Sequence, residues 1–320
     1  NDDKTLTSRP ILESFIKNPI LIDMLNCPLM YYGNAREGDM DFYQFVIMFT
    51  SVFLEGFAKP IGGMNYILHL LEEKFKQLGG ELSMGSGVTS INAENGTVES
   101  VTLENGEQLT AETVISSMGY IETLNHCAPA LKETEEYETG QVSFMESLCV
   151  VDSEPRDLGY DKSIVFFSTQ PQFDYKVPDE MINVTTGVLC CSNNFDYPEP
   201  MKEGLIRLTN LANFAQWDTL SRSDYIAAKK HWRNRALESL FTFFPDFRDN
   251  VLFLDSFTPK TIKKYTGHLN GAVYGSPEKI KNGKTLVNNL FICGTDQGFL
   301  GIIGATLSGI SMANLHVLQK

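Results

Sequence analysis

A glycine-rich stretch near the end of the chain constrains its fold most. Residues 289–309 read NLFICGTDQGFLGIIGATLSG, in which a short apolar run from Leu290 to Cys293 is followed by five glycines. The pattern predicts a buried strand, a sharp turn at Gly294 and a helix that begins near Gly301. Because glycine has no side chain, Gly301 and Gly304 would let a flat ligand approach the unpaired N–H groups of the first helical turn.

Asp296, within the turn, has two interpretations. Beside a dinucleotide, an acid accepts hydrogen bonds from sugar or ribityl hydroxyls. In the other interpretation the glycines only let a helix pack closely on a sheet, and Asp296 is the favourable negative charge at its N-terminus. The spacing alone does not decide between them. Residues 299–318 carry no formal charge, but their glycines and serines and the strand before them favour a buried helix over a membrane span.

A second glycine pair precedes another helix. Gly62 and Gly63 are followed by apolar residues at helical spacing as far as Leu78. Residues 87–119 then alternate with period two, and Asn95–Gly96 and Asn105–Gly106 have the spacing of two tight hairpins. A three-stranded meander is therefore predicted, and it continues into a fourth strand at 112–118.

The remainder of the chain predicts a helical segment and a separate sheet. Residues 11–58 are apolar and mostly helical in pattern. Between about 120 and 260, strand-like runs separated by proline- and acid-rich loops predict a mostly antiparallel sheet. One clear helix is expected over about 223–244, with Ser223 as its N-cap.

Composition excludes several classes of function. The net charge of −14 repels phosphate backbones, so nucleic acid is not an expected partner. The six cysteines form no CxxC pair and the five histidines are far apart, so neither a zinc site nor a disulfide framework is predicted. The cysteines are expected to be buried, reduced thiols of an intracellular, cytoplasmic protein.

Several motifs together resemble one flavoprotein superfamily. They are residues 59–91 (KPIGGMNYILHLLEEKFKQLGGELSMGSGVTSI), residues 106–119 (GEQLTAETVISSMG), residues 271–275 (GAVYG) and the closing glycine-rich stretch. These residues are similar to the phytoene desaturases, carotenoid isomerases and retinol saturases, and the closing motif is most similar to the retinol saturase form. The resemblance spans residues 59–318 with gaps.

The resemblance implies FAD as the cofactor. By position, the backbone of Val88 would meet the adenine, Asp296 would contact the ribityl or pyrophosphate region, and the start of the last helix would lie under the isoalloxazine ring. The predicted cofactor-binding residues are Val88, Gly294, Asp296, Gly301, Ile302, Ile303 and Gly304. No metal site is expected.

The implied fold class is α/β, the second half of a split FAD-binding Rossmann-like fold with a β-meander, plus an antiparallel-sheet and helix substrate domain. The FAD-binding segments would be 59–119 and 276–320, and the substrate domain 1–58 and 120–275. Members of the superfamily open with a GxGxxG fingerprint, which occurs nowhere in these 320 residues. The chain is therefore expected to be the C-terminal part of a longer one, or a form that has lost its front, and to bind FAD weakly or not at all.

The implied activity is that of an oxidoreductase, a desaturase, isomerase or saturase, which moves a hydride between flavin N5 and a conjugated polyene such as a carotenoid or retinoid. Because the flavin carries this chemistry, no catalytic side chain is assigned. His268 and Tyr265 precede the cofactor strand and could reach the flavin face, but a structural role is favoured for both. The candidate walls of an apolar tunnel are residues 42–57, 164–167 and 188–191. Because such a substrate is hydrophobic, peripheral contact of the protein with a membrane is also expected.

Two alternatives share the fold. An amine oxidase usually rims its flavin with aromatic residues, and Tyr265 and Tyr274 keep this interpretation open. A non-redox protein of the GTPase dissociation inhibitor type binds prenylated partners and has a degenerate flavin site. The retained Gly294, Asp296 and Gly301 argue against that version, and a bound flavin would separate it from the two redox alternatives.

Overall fold

The computed structural model describes residues 6–129, 131, 137–298 and 300–319. The α-helices are α1 (Ser8–Phe15), α2 (Pro19–Gly33), α3 (Phe42–Phe49), α4 (Gly63–Gln77), α5 (Tyr120–Asn125), α6 (Phe214–Asp218), α7 (Arg222–Leu240), α8 (Pro259–Thr266) and α9 (Gly301–Ala313). The strands are β1 (Val88–Glu94), β2 (Thr97–Leu103), β3 (Gln108–Leu109), β4 (Val114–Ser116), β5 (Cys127–Ala128), β6 (Ser143–Val151), β7 (Ile164–Ser168), β8 (Thr186–Cys191), β9 (Gly204–Ala212), β10 (Val251–Phe257) and β11 (Leu290–Ile292). The mixed α/β class predicted from the sequence is confirmed.

The N-terminal helices begin where polar side chains can cap them. The Asn18 side chain accepts a hydrogen bond from the Ile20 N–H at the start of α2, and Asp41 accepts one from Gln44 at the start of α3. Such caps satisfy N–H groups that have no partner inside the helix. Helix α3 continues as a π-helical segment over Thr50–Glu55, so the predicted helical character of residues 11–58 is confirmed.

The meander predicted after the second glycine pair is present. Strands β3, β2 and β1 pair antiparallel in that order, and β5 adds to β1 in parallel. Asn95 and Gly96 both have positive φ, 52° and 77°, which is the geometry of a primed hairpin turn. The fourth strand, β4, leaves the meander and pairs in parallel with β11, so that Leu290 lies opposite Val114.

The second large unit is a five-stranded antiparallel sheet in the order β10-β6-β9-β8-β7, as predicted. Because side chains alternate along each strand, its two faces differ. One face, here called the α7 face, is buried against α7 and packs Met145, Cys149, Ile206 and Leu240 into one core. The opposite face, here called the cavity face, lies towards α2 and shares a second core with Tyr31 and Phe173.

Two details differ from the sequence-based expectations. Helix α7 begins at Arg222 and ends at Leu240, and its N-cap is Ser221 rather than Ser223, because the Ser221 hydroxyl accepts the Asp224 N–H. The C-terminal helix was expected to be buried, but only 17% of Gly301–Leu318 is buried. By length and composition, that segment is also the one helix in the described part of the chain that could cross a membrane.

The predicted burial of the cysteines is confirmed for five of the six residues. Cys27, Cys127, Cys149, Cys190 and Cys191 are buried free thiols. Cys293 is only half-buried, because it lies where β11 leaves its small sheet for the glycine-rich turn.

Candidate functional site

The first part of the candidate site is the turn that follows β11, here called the glycine turn (residues 293–298). The Cys293 N–H donates to the Ser116 carbonyl at 2.8 Å and extends the β4–β11 pairing by one residue. At Gly294 the backbone adopts φ +87°, and its N–H donates to Ser308 Oγ on α9 at 2.8 Å. A Cβ at Gly294 would have no neighbour closer than 3.9 Å, so the space beside this backbone is open.

Asp296 faces inward and organises the backbone around the glycine turn. Asp296 is only 2% exposed. Its two carboxylate oxygens accept hydrogen bonds from the N–H groups of Tyr120 and Ser276 at 2.7 and 2.8 Å. Its own carbonyl accepts the Ile280 N–H. Asp296 therefore joins three chain segments, and its predicted contact with the ribityl or pyrophosphate part of FAD stays a prediction.

The start of α9 has open space around it. No side chain in the described part of the chain caps its N-terminus at Leu300. Gly301 has φ +74°, and a Cβ there would meet no atom of the described residues within 4 Å. Ile302 and Ile303 are 51% and 63% exposed, and Gly304 is half-buried. Unpaired N–H groups beside open space can receive an anion or an electron-rich ring.

Val88 lies at the first position of β1, opposite Leu103. It packs on the core that also contains Leu290 and Ile292 of β11. The structure therefore brings Val88 and the glycine turn onto the same core, although they are about two hundred residues apart in sequence. The predicted contact of Val88 with an adenine ring stays a prediction.

A buried ion pair lies next to the glycine turn. His268 Nδ1 is 3.4 Å from Glu122 Oε1, which also accepts the Leu269 N–H at 2.7 Å. Burial opposes both charges, but their hydrogen bond and mutual attraction outweigh it, so the pKa of His268 is raised and that of Glu122 is lowered. His268 is therefore held in place by Glu122, and its predicted structural role stays a prediction. Tyr265 is 78% exposed on α8.

The second part of the site is a cavity of about 320 Å³ between the cavity face and α2. Apolar and aromatic residues form most of its wall, and a few polar residues complete the lining. The wall consists of Tyr31, Tyr32, Phe144, Glu146, Val188, Cys190, Arg207, Thr209, Phe257, Ile262, Val273 and Tyr274. Volumes of roughly 300–1,000 Å³ with this mixture of residues are typical of small-molecule sites.

One segment connects the cavity to the glycine turn. Val273 and Tyr274 line the cavity, and the next residue, Gly275, is so close to Asp296 that an added Cβ would lie 1.9 Å from Oδ1. Lys279, four residues further on from Gly275, donates from Nζ to the Tyr274 carbonyl at 2.7 Å. Burial lowers the pKa of Lys279 to about 8, with Asp296 acting in the opposite direction. The GAVYG motif therefore forms part of both halves of the site.

The sequence-based tunnel candidates are only partly in the cavity. Val188 and Cys190 line it, and Ile164 and Phe166 pack on the core behind it. In contrast, much of the apolar surface of residues 42–57 is exposed to solvent. Tyr274 lines the cavity but Tyr265 does not, so the structure does not bring the two tyrosines together there.

Sequence reasoning missed the polar residues of the cavity. Glu146 and Arg207 are the charged positions within otherwise uncharged strands, SFMESLCVV and GLIRLTNLA. That interruption was the available signal. The charged residues in the sequence do not by themselves show that β6 and β9 pair in the register that brings Glu146 and Arg207 together on the cavity wall.

Comparisons with known proteins point to flavin enzymes. Residues 8–143 match the model of the flavin containing amine oxidoreductase family. Prolycopene isomerase 2 of an Oncidium hybrid cultivar is 22% identical over 323 residues, covering 95% of this chain and 54% of the relative. The 4,4'-diaponeurosporene oxygenase of Staphylococcus aureus is 24% identical over 341 residues, covering 98% and 65%. The chain thus spans about half to two thirds of these curated relatives.

Solved structures share the fold. An oxidoreductase from Methanosarcina mazei superimposes with a TM-score of 0.66 at 17% identity, covering 98% of this chain and 69% of that one. Cyclohexylamine oxidase from Brevibacterium oxydans gives 0.54 at 12% identity, covering 95% and 66%. The residues around the open space at Gly294 and Gly301 fit FAD, because uncapped N–H groups and glycines without neighbours suit a flat, electron-rich group. The chain therefore shares its fold with these oxidoreductases, is similar over residues 8–143 to the flavin containing amine oxidoreductase family, and has curated relatives that include a prolycopene isomerase and a 4,4'-diaponeurosporene oxygenase.

Proposed function

We propose that this protein is an FAD-dependent oxidoreductase, a desaturase, isomerase or saturase, whose substrate is a conjugated polyene of the carotenoid or retinoid type. The observation that carries the proposal is the continuity of the site. Residues 273–276 line an apolar cavity at one end and hold Asp296 of the glycine turn at the other. A hydrocarbon in the cavity would thus lie in the same site as a cofactor at the turn.

The residues at the glycine turn have a binding role in this proposal. Gly294 and Gly301 leave backbone surface free of side chains, and the first N–H groups of α9 have no side-chain cap in the described part of the chain. When bound, the flavin would supply the hydride acceptor or donor at N5. Asp296 would hold the turn in shape through its two backbone hydrogen bonds.

The cavity residues have a positioning role. Phe144, Val188 and Phe257 present hydrocarbon surface, which favours an apolar substrate by about 25 cal/mol per Å² removed from water. Tyr31 is fixed from both ends, because its hydroxyl contacts Thr186 Oγ1 and its carbonyl accepts the Tyr274 hydroxyl. A rigid, dry wall would hold a polyene in one pose and keep water away from the reacting carbon.

An amine substrate is the second candidate, and Glu146 is the observation that favours it. This carboxylate lies on the cavity wall and could receive an ammonium group. However, Arg207 Nη1 is 3.5 Å from Glu146 Oε1, and Thr209 Oγ1 donates to Oε2 at 3.2 Å. Because the Arg207 cation already compensates the charge of Glu146, an ammonium group would gain less there, and the polyene is preferred.

Absorption spectroscopy of the natural protein at full length tests the proposal. Flavin bands are expected, followed by a change in the flavin spectrum when a carotenoid or retinoid is added without oxygen, but not when a primary amine is added. A protein that stays colourless after added FAD would overturn the redox proposal and favour a lipid-binding role of the GTPase dissociation inhibitor type. Cytoplasmic localisation with peripheral membrane contact stays a prediction.

A matched pair of glycine variants locates the flavin. Gly301 and Gly267 both have positive φ, +74° and +78°, and an added Cβ at either would have no atom within 4 Å in the part of the chain that the structure describes. Replacing either by valine therefore costs similar backbone strain. Gly301→Val should release FAD because its side chain fills the open space at α9, whereas Gly267→Val should retain it. Equal FAD retention would count against this placement.

A further inference from the structure

We propose that Lys279 is a further cofactor-binding residue, whose ammonium group compensates the negative charge of FAD at the glycine turn. This inference rests on FAD binding at that turn and does not involve the substrate. FAD carries a pyrophosphate and the net charge of the chain is −14, so the overall field of the protein opposes binding of the cofactor. A cation at the binding site offsets this repulsion.

Lys279 begins directly beside the glycine turn. The next residue, Ile280, donates its N–H to the Asp296 carbonyl at 2.8 Å, which holds this segment against the turn. A Cβ added to Gly298 would lie 3.8 Å from the Cβ of Lys279. At its other end the lysine side chain reaches the carbonyl of Tyr274, a residue of the cavity wall. The lysine therefore extends from the glycine turn to the GAVYG motif.

The hydrogen bond of Lys279 does not neutralise its charge. Nζ donates to the Tyr274 carbonyl at 2.7 Å, and a carbonyl is a neutral acceptor. An ammonium group has three donors, so this single bond does not saturate it. Lys279 is half-buried, whereas Lys281 and Lys284, the other lysines between the GAVYG motif and the glycine turn, are exposed. Among these three lysines, Lys279 is thus the one that the fold holds at the site.

Charged groups of both signs act on Lys279. Asp296 of the glycine turn attracts the ammonium group, and Arg36, which follows α2, repels it. His268, paired with Glu122 of α5, also interacts with Lys279. Burial has the largest effect and lowers the pKa of Lys279 to about 8, so its proton is easily lost above neutral pH. Two further acids of the surrounding segments are exposed to solvent, Glu138 and Glu278.

FAD binding is therefore linked to the proton on Lys279. A bound anion favours the charged ammonium group and raises its pKa. Below about pH 8 the lysine of the FAD-free protein already carries this proton, so the affinity for FAD should change little with pH. Above about pH 8 the FAD-free protein has lost the proton and must take one up to bind FAD. The affinity should then fall by up to about tenfold per pH unit.

Titration of FAD into the FAD-free natural protein at full length tests the inference without any substrate. The dissociation constant is measured by flavin fluorescence at pH 7, 8 and 9, with oxidised FAD and again with reduced FAD. A loss of affinity above pH 8 with oxidised FAD assigns the charge to the pyrophosphate, because the oxidised ring is neutral, and a loss seen only with reduced FAD assigns it to the reduced ring. An affinity that is independent of pH in both states overturns the inference and leaves the polyene proposal standing. No FAD binding at any pH overturns the inference together with the proposed function.

Three variants assign the pH dependence to Lys279. Lys279→Met should weaken FAD binding about tenfold or more at pH 7 and remove its dependence on pH. Lys279→Arg should restore the affinity at pH 7 and keep it at pH 9, because a guanidinium group does not lose its proton in this range. Lys281→Met is the matched control, since it removes the same charge from an exposed position two residues away, and it should behave like the wild type. Equal affinities of Lys279→Met and Lys281→Met, or an undiminished pH dependence in Lys279→Arg, refute the assignment.

A measurement on the wild type alone does not depend on the folding of any variant. NMR of the protein labelled with ¹³Cε-lysine follows the titration of Lys279 with and without FAD. The pKa of Lys279 should rise when FAD binds, and a pKa that FAD leaves unchanged contradicts the inference.

Discussion

Gly275→Ala is the substitution to which the candidate site should respond most strongly. Gly275 has φ +65°, a left-handed backbone conformation that costs an alanine about 1–2 kcal/mol. An alanine Cβ would also lie 1.9 Å from Asp296 Oδ1 and 2.9 Å from Thr295 Oγ1. Both distances are too short for any real contact, so the Asp296 carboxylate must move.

The displaced carboxylate would lose its backbone partners. Asp296 accepts the Tyr120 and Ser276 N–H groups at 2.7 and 2.8 Å in a site that is 2% exposed. Hydrogen bonds to a charged group contribute about 1.5–3 kcal/mol each. With the backbone strain, Gly275→Ala is expected to lower the free energy of unfolding by roughly 4–8 kcal/mol, a large part of the ~5–15 kcal/mol typical of a domain.

Urea denaturation of the wild type and two alanine variants measures this effect. Gly267→Ala is the control, because Gly267 has φ +78° and no atom within 4 Å of an added Cβ. It should lose only the backbone part, about 1–2 kcal/mol. Equal losses in Gly275→Ala and Gly267→Ala would refute the reasoning, since they would show that the contact with Asp296 costs nothing. If Gly275→Ala does not fold, Asp296→Asn, which keeps one acceptor oxygen, should show an intermediate loss.

Three further predictions concern the fold and its titratable groups. Ser221→Ala should cost about 1 kcal/mol in urea denaturation, because it removes the N-cap of α7, whereas Ser223→Ala should cost much less; the reverse order would show that the helix begins later. The Glu122–His268 ion pair contributes its full stabilisation of the folded state between pH 4.5 and pH 6.5, the ordinary pKa values of Glu122 and His268. That contribution is lost when the pH rises through the raised pKa of His268 or falls through the lowered pKa of Glu122. His268→Gln should therefore destabilise more at about pH 5.5 than at pH 8.5 in urea titrations, and an equal effect at both would contradict the ion pair. Finally, a thiol reagent at pH 8 should label Cys293 first in the native protein, since the other five thiols are buried, and all six after denaturation; labelling of several thiols in the native state would contradict the packing.

Local sequence predicted the elements of this protein well. The hairpin at Asn95–Gly96, the start of α4 after the Gly62–Gly63 pair and the strand before Gly294 all depend on the conformations open to a few adjacent residues. The motifs also predicted the flavoprotein fold and FAD, which the family match and the shared fold support. The N-cap of α7 was misplaced by two residues because Ser221 and Ser223 are both competent caps, and only the hydrogen bond from the Asp224 N–H to Ser221 distinguishes them.

The tertiary structure alone decided how the site is assembled. Asp296 is one acid in a glycine-rich turn in the sequence, and only folding brings Tyr120 and Ser276 to its two oxygens. The pairing register of β6, β9 and β8 similarly decides that Glu146 and Arg207 meet on the cavity face. Neighbours along the chain determine local conformation, because torsional freedom and nearby hydrogen bonds are local. Contacts between residues far apart depend on packing and register, which no short stretch of this sequence contains.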